Sequence, residues 1–343
     1  MILEQFGWNG YFEAQACAGI PGRVASANHG RFLVWTANGE VDASVSGLLR
    51  RSSPLWPAVG DWVVLREGAD VIVKVLERKT KLSRKQPERE VREQVLAANV
   101  DVLFIVSGLD RDYNERRIER FLVIARESGA RPVVLLNKSD LADELGLDLA
   151  AVVARTAALS PGTRVVPLSA LSDHGLDALP ELVAPGETAA LIGSSGVGKS
   201  TILNRLLGDE RQRTNAVRAW DSRGRHTTTT RELFTMPGGW LLMDLPGLRE
   251  VQLWATTEDL ADSFDDIKEL AGACRFRDCA HTGEPGCAVG AAGLDPARLA
   301  NYLKMQGELA NLRQKIAPRP ARDNQPKRKM TKRSSRPHLN HDS

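Results

Sequence analysis

The sequence predicts a multidomain protein: a small all-β barrel of the oligonucleotide-binding (OB) type, an α/β phosphate-loop domain, and a helical module that binds metal. Three observations carry this. Residues 22–77 hold short apolar runs, RFLVWT, EVDASVSG, DWVVLRE and VIVKVLE, separated by turn signals at Asn38-Gly39 and Gly60-Asp61. From about residue 95, apolar strands alternate with segments of helical spacing, and the strand TAALIG opens into a glycine-rich loop ending in Lys199-Ser200. Residues 274–287, CRFRDCAHTGEPGC, place three thiols and an imidazole within fourteen positions. The expected limits are 1–92 for the barrel with a basic linker, 93–257 for the α/β domain, 258–317 for the metal module and 318–343 for a disordered basic tail.

Composition narrows the function classes. With 42% hydrophobic and 26% charged residues over 343 positions, the chain reads as globular and long enough for several cores. No apolar run approaches a membrane span, and MILEQFGWNGYFEA lacks the basic-then-apolar order of a secretory signal. A cytoplasmic protein without a membrane partner is therefore expected, and in a reducing compartment clustered cysteines point to metal rather than disulfides. The net charge of +3 is unevenly spread. Ten Lys/Arg face only Asp323 and Asp342 from Arg313 onward, leaving 36 basic and 41 acidic side chains in residues 1–312. Such a tail suits contact with nucleic acid, the alternative being a solvated end.

Within the barrel, Phe32, Trp35, Trp56 and Trp62 could stack on bases, but aromatics in a small β domain more often fill its core, so none is assigned as a contact. ERKTKLSRKQPER reads as a loop or linker at the barrel's edge. Cys17 reads as a small buried residue.

The α/β segment carries the chemistry. Gly193-Ser194-Ser195-Gly196-Val197-Gly198-Lys199-Ser200, followed by Thr201, has the spacing G-x-x-x-x-G-K-[ST] between a strand and a helix. Its backbone N–H groups can turn inward around phosphate oxygens, with Lys199 neutralising the β/γ phosphates and Ser200 placing a hydroxyl on Mg²⁺. Asp244-Leu245-Pro246-Gly247 ends the strand GWLLMD, where the carboxylate suits Mg²⁺ and the Gly247 N–H suits a γ-phosphate. The intervening Gly224-Arg225-His226-Thr227-Thr228-Thr229-Thr230 reads as a switch run in which one threonine, Thr228 by preference, completes the Mg²⁺ shell. Upstream, RPVVLL opens into Asn137-Lys138-Ser139-Asp140. Asp140 can accept from both guanine donors that adenine lacks, Asn137 would orient the base edge, and the Lys138 stem would lie over its face. Ser169-Ala170, after the strand VVPL, suits a second base-contact turn toward guanine O6.

The order of these elements is unusual. The base turn lies 61 residues before Lys199, so the motifs run base, second base turn, phosphate loop, switch, DxxG. Rotation restores the ordinary order, so a GTPase sheet with its ends moved is expected. One consequence is mechanical: the segment after Gly247 runs directly into the metal module. That module's Cys274, Cys279, His281 and Cys287 form a C-x4-C-x-H-x5-C set suited to closed tetrahedral Zn²⁺, with redox thiols as the competing reading.

Together NKSD, GSSGVGKST, GRHTTTT, DLPG and CRFRDCAHTGEPGC resemble the bacterial ribosome small-subunit-dependent GTPases, the RsgA family, over nearly the whole chain. The resemblance implies a barrel, a circularly permuted GTPase domain and a zinc-containing helical domain that dock on the 30S subunit and its 16S rRNA late in maturation, with rRNA stimulating hydrolysis. It carries nucleotide roles to Asn137, Lys138, Asp140, Gly193 to Thr201, Asp244 and Gly247, and zinc ligation to the Cys3His set. Leu248 stands where many GTPases have a catalytic glutamine, so turnover alone should be slow, with His226 or a ribosomal group completing the site. The expectation is a monomeric GTP hydrolase, GTP to GDP and phosphate, whose nucleotide state governs release from the subunit. The alternatives are an RNA-binding assembly protein with a merely regulatory pocket, and a small-molecule phosphotransferase.

Overall fold

The computed structural model describes residues 2–52, 55–68, 70–85, 93–110, 113–208, 231–245 and 255–316. Five strands close the barrel: β1 (Ile20–Asn28), β2 (Arg31–Thr36), β3 (Gly39–Val45), β4 (Trp62–Leu65) and β5 (Val71–Val75), in the order β1-β2-β3-β5-β4 with β4 returning to β1. The β3–β5 pair alone is parallel, which gives the OB arrangement. Val24, Phe32, Val34, Ala43, Val63, Leu65 and Ile72 fill the interior. Phe32, Trp35 and Trp62 are buried, as their core reading requires, whereas Trp56 is exposed.

Two readings of this region need correction. The stretch taken as a linker contains β6 (Lys81–Lys85), which pairs antiparallel with β7 (Glu93–Ala98). Its charge hid the strand: Lys81 pairs across to Glu93 at 2.6 Å, while Leu82 is buried on the other face. Cys17 is exposed rather than buried, because it lies in the irregular surface stretch between the short helix α1 (Gly10–Glu13) and β1. A second short helix, α2 (Gly47–Ser52), lies between β3 and β4.

The α/β sheet consists of β8 (Val102–Gly108), β9 (Arg131–Asn137), β10 (Arg164–Pro167), β11 (Thr188–Gly193), β12 (Arg231–Thr235) and β13 (Leu241–Asp244), ordered β10-β9-β8-β11-β13-β12. All pairings are parallel except β12–β13, and β8 and β11 are buried along their length, as strands covered on both faces must be. Around the sheet lie α3 (Glu115–Ser128), α4 (Leu149–Ala158) and α5 (Lys199–Leu207). Asn114 caps α3 by accepting from Arg117 N, and Gly129 ends it in a left-handed conformation.

Barrel and sheet are one continuous β surface. β12 pairs with β13 on one side and with β1 on the other. The buried guanidinium of Arg23 on β1 reinforces the joint, donating to Gly60 O (3.3 Å), Asn99 O (3.0 Å), Thr188 Oγ1 (2.7 Å) and Phe6 O. Thr188 begins the phosphate-loop strand, so the barrel is fastened to the root of that loop.

The C-terminal module packs α6 (Thr257–Asp262), α7 (Asp265–Ala271), α8 (Ala288–Ala291) and α9 (Pro296–Ile316) against α3. Thr256 and Asp259 form a capping box on α6. The contact with α3 is charged: Arg298 binds Asp266 through two 2.8 Å bonds and Glu119 at 2.6 Å, and Arg120 meets Glu308 at 2.7 Å. No described helix is long and apolar enough to cross a membrane.

Candidate nucleotide site and metal centre

In a parallel sheet the strand dipoles and loops converge at the carboxyl edge, where α/β domains hold ligands. Here that edge carries Gly108, Asn137, Pro167, Gly193 and Asp244, the last residues of β8, β9, β10, β11 and β13. The base turn, the second base turn, the phosphate loop and the first residue of DxxG, scattered over 108 positions from Asn137 to Asp244, therefore meet on one side.

The phosphate loop depends on backbone that only glycine adopts comfortably. Gly193 and Gly198 have φ of 149° and 98°, and an added Cβ would stand 2.3 Å from Val106 O at the first and 2.2 Å from Asn137 Nδ2 at the second. Lys199 begins α5 and curls over its own loop, donating to Gly193 O (2.7 Å) and Ser194 O (2.5 Å). Ser195, Gly196, Ser200 and Thr201 are exposed and Val197 is buried beneath them. A polyanion seated here would meet exposed N–H groups, the start of a nine-residue helix and one ammonium.

Asn137 is placed differently from the sequence expectation. It is buried; its Nδ2 donates to Val197 O at 2.7 Å, and its Oδ1 accepts from Ala170 N at 3.0 Å. The amide thus joins the phosphate loop to the second base turn, rather than facing outward to a base edge. Of the second base turn's N–H groups, that of Ala170 is engaged by this bond and that of Ser169 donates to His174 O at 2.9 Å. Lys138 takes a left-handed backbone, φ 64°, which turns the chain sharply after β9. Asp140, just beyond, is exposed, and Ser139 donates its N–H to Leu168 O.

Sequence reasoning missed Asp110. Its carboxylate pairs with the Lys138 ammonium, and Leu109 N donates to Asn137 O at 2.7 Å, so the ends of β8 and β9 are cross-braced beside the base turn. The available signal was a carboxylate two residues beyond the end of a central parallel strand.

Asp244 closes β13 opposite Glu232, one strand from the phosphate-loop strand. Asp244 and the exposed Ser200 each offer an oxygen, the donor type that Mg²⁺ takes. His226, Thr228, Gly247 and Leu248 lie outside the described residues.

The cysteine cluster assembles as its spacing implies. Ligand atoms of Cys274, Cys279, His281 and Cys287 all lie within 4.8 Å of one another. His281 Nδ1 stands 3.7 Å from Cys274 Sγ and 3.6 Å from Cys287 Sγ. A tetrahedral zinc with ordinary Zn–S and Zn–N bonds has S···N edges of about 3.6 Å. All four cysteines of the chain are free. Gly290 N donates to Cys287 Sγ at 3.2 Å, and the Val289 and Ala288 backbone N–H groups hold the Cys274 thiol below its ordinary range.

Fold and site define a phosphate-loop GTPase with its motifs in rotated order. The RsgA GTPase family model matches residues 75–254. The small ribosomal subunit biogenesis GTPase RsgA of Opitutus terrae is 45% identical, with 93% of this chain and 92% of that protein covered. That of Syntrophotalea carbinolica is 44% identical over 91% and 90%. Among solved structures, YjeQ of Thermotoga maritima superposes with TM-score 0.64 at 28% identity, covering 85% of this chain and 98% of the other. YloQ, described as a circularly permuted GTPase, gives 0.60 over 86% and 96%; at 23% identity it bears on the fold alone. The chain belongs to the RsgA GTPase family, hydrolases acting on GTP.

Proposed function

We propose that this protein hydrolyses GTP during late maturation of the small ribosomal subunit, binding the 30S particle and its 16S rRNA and leaving when its nucleotide state changes. The carrying observation is the meeting of the rotated motifs at one sheet edge, in a chain whose 45% identical relative bears that ribosomal name. Asp140 accepts from guanine, Lys138 covers the ring under the hold of Asp110, and Asn137 locks base turn to phosphate loop. Gly193 to Thr201 wrap the phosphates, Lys199 exchanging its carbonyl partners for phosphate oxygens. Ser200, Asp244 and one switch threonine, Thr228 by preference, would hold Mg²⁺, which neutralises charge on the transferred phosphoryl. His226 and the Gly247 N–H complete the catalytic set. The Cys3His set would hold zinc, which supplies folding energy to the helical module.

The domain limits 1–92, 93–257, 258–317 and 318–343, a monomeric state and a cytoplasmic location belong to the same reading. If GTP and the subunit favour one state, linkage of about 1–3 kcal/mol makes 30S binding about 5- to 150-fold tighter with a non-hydrolysable GTP analogue than with GDP. Equal affinity with analogue, GDP and no nucleotide would leave an RNA-binding protein with incidental hydrolysis.

A further inference from the structure

The second base turn is held more closely than an ordinary surface loop. After β10 the chain folds back on itself: Ser169 N donates to His174 O at 2.9 Å, Ser172 N donates to Ser169 Oγ at 3.3 Å, and Asp173 takes a left-handed backbone, φ 58°. Gly175 also has a positive φ, 75°, and a Cβ there would stand 2.9 Å from Pro167 O, so the turn closes against the strand it leaves. Ser169 and Ala170 are buried, and the chain reaches the surface at Leu171, which is 74% exposed.

Leu171 is gripped from the phosphate-loop helix. Arg205, in the last turn of α5, donates from Nη2 to Leu171 O at 3.1 Å and pairs through Nη1 with Asp173 at 3.1 Å. One planar guanidinium thus spans the bend, a grip that a single ammonium cannot reproduce at both points. The helix therefore serves both halves of the site: Lys199 at its first residue curls over the phosphate loop, and Arg205 at its far end holds the second base turn.

The grip matters because of the group it leaves open. Along the turn, the backbone N–H groups of Ser169, Ala170 and Ser172 all donate within the protein. That of Leu171 makes no hydrogen bond among the described residues. The peptide that carries it is bracketed, with Ala170 N tied to Asn137 Oδ1 at 3.0 Å on one side and Leu171 O tied to Arg205 on the other. A donor fixed from both sides accepts a ligand with little further ordering cost.

We propose that Arg205 is a positioning residue for base recognition, holding the second base turn so that Leu171 meets the guanine ring with its N–H toward O6. The proposal rests on the guanine reading of this turn, and it adds a helix residue to the groups that set base preference. Guanine offers an acceptor at O6, where adenine carries a donor amine. A Leu171 N–H held in place therefore rejects adenine by the same contact with which it accepts guanine. Without Arg205 the turn can yield, and the contact loses its power to discriminate.

The test uses the full chain and displacement of a fluorescent guanine nucleotide by three ligands: GTP, thioguanosine triphosphate, in which a weakly accepting sulfur replaces O6, and tripolyphosphate, which has no base. Arg205 is 45% exposed, so its alanine variant keeps its fold. Arg205→Ala is expected to weaken GTP about fivefold, to weaken the thio analogue less, and to leave tripolyphosphate unchanged. Arg205→Lys, reaching one partner at a time, should recover part of the loss. Asp173→Ala removes the guanidinium's other anchor and should also weaken GTP, while the double variant should fall no further than Arg205→Ala alone. Wild-type GTP affinity in Arg205→Ala overturns the proposal. An equal loss for tripolyphosphate also overturns it, since Arg205 would then act on the phosphate loop through α5. Wild-type protein that binds ATP as tightly as GTP would overturn the guanine reading and the proposal with it, whereas with selectivity intact the Arg205 results decide the proposal alone.

Discussion

Replacing Asn137 by alanine separates two roles that one side chain could play. The amide makes one bond to Val197 O at 2.7 Å and one from Ala170 N at 3.0 Å, and the residue is 2% exposed. Alanine leaves a buried carbonyl and a buried N–H without partners, at about 1–3 kcal/mol each. Part of that cost is escaped if the loop opens to water in the free protein. The remainder then appears as lost preorganisation of the phosphate loop, and a loss of about 2 kcal/mol weakens GTP about 30-fold. Because the amide acts on the loop, the same loss should extend to a ligand without a base. The assay is displacement of a fluorescent guanine nucleotide by GTP and, separately, by tripolyphosphate. Weakening of both ligands in Asn137→Ala is the expected result. Unchanged tripolyphosphate affinity alongside weakened GTP would mean that Asn137 serves the base alone, and the strut argument would be wrong.

Three further outcomes follow from other parts of the molecule. Cys279→Ser should release the metal and lower the melting temperature of the C-terminal module, checked by elemental analysis and calorimetry; a metal-free wild type would support the redox reading. Burial raises the Glu127 carboxyl to about 8 against the pull of Lys81, with Glu93 and Asp259 adding to the rise. From about pH 4.5 to 8 the unfolded chain releases this proton and the folded one keeps it, so stability falls as pH rises. Glu127→Gln should therefore gain melting temperature over wild type at pH 8.5 and little at pH 5, and a gap independent of pH would contradict the assignment. Arg298→Ala leaves Glu119 buried without one of its cations and should cost about 3 kcal/mol in denaturant titration; a loss below about 1 kcal/mol would show that the α3–α9 contact does not depend on this pair.

Much of the fold was legible because its strands are written in period. The runs at 102–108, 131–137 and 188–193 are apolar through their centres, as a doubly covered parallel sheet demands, and each ends in a motif residue or a glycine. The strands that escaped notice break that pattern for physical reasons. β1 begins Ile20-Pro21-Gly22-Arg23, which reads as a turn, yet Arg23 is buried because four acceptors from distant segments surround it. β6 reads as a charged linker because its partner charge, Glu93, lies twelve residues away. The position of the Cys3His set was legible because its ligands are local in sequence. The Asn137 strut and the Asp110 brace were not, since each is defined by a neighbour on another strand that no spacing rule supplies.

The central claim is a guanine nucleotide switch answering to the small ribosomal subunit, and its most direct test is GTP turnover by the purified full chain with and without purified 30S subunits. Slow turnover alone, a large rise with 30S, and loss of both in Lys199→Ala are the expected results. Turnover that 30S subunits leave unchanged, in protein that binds GTP and holds its metal, would contradict the account.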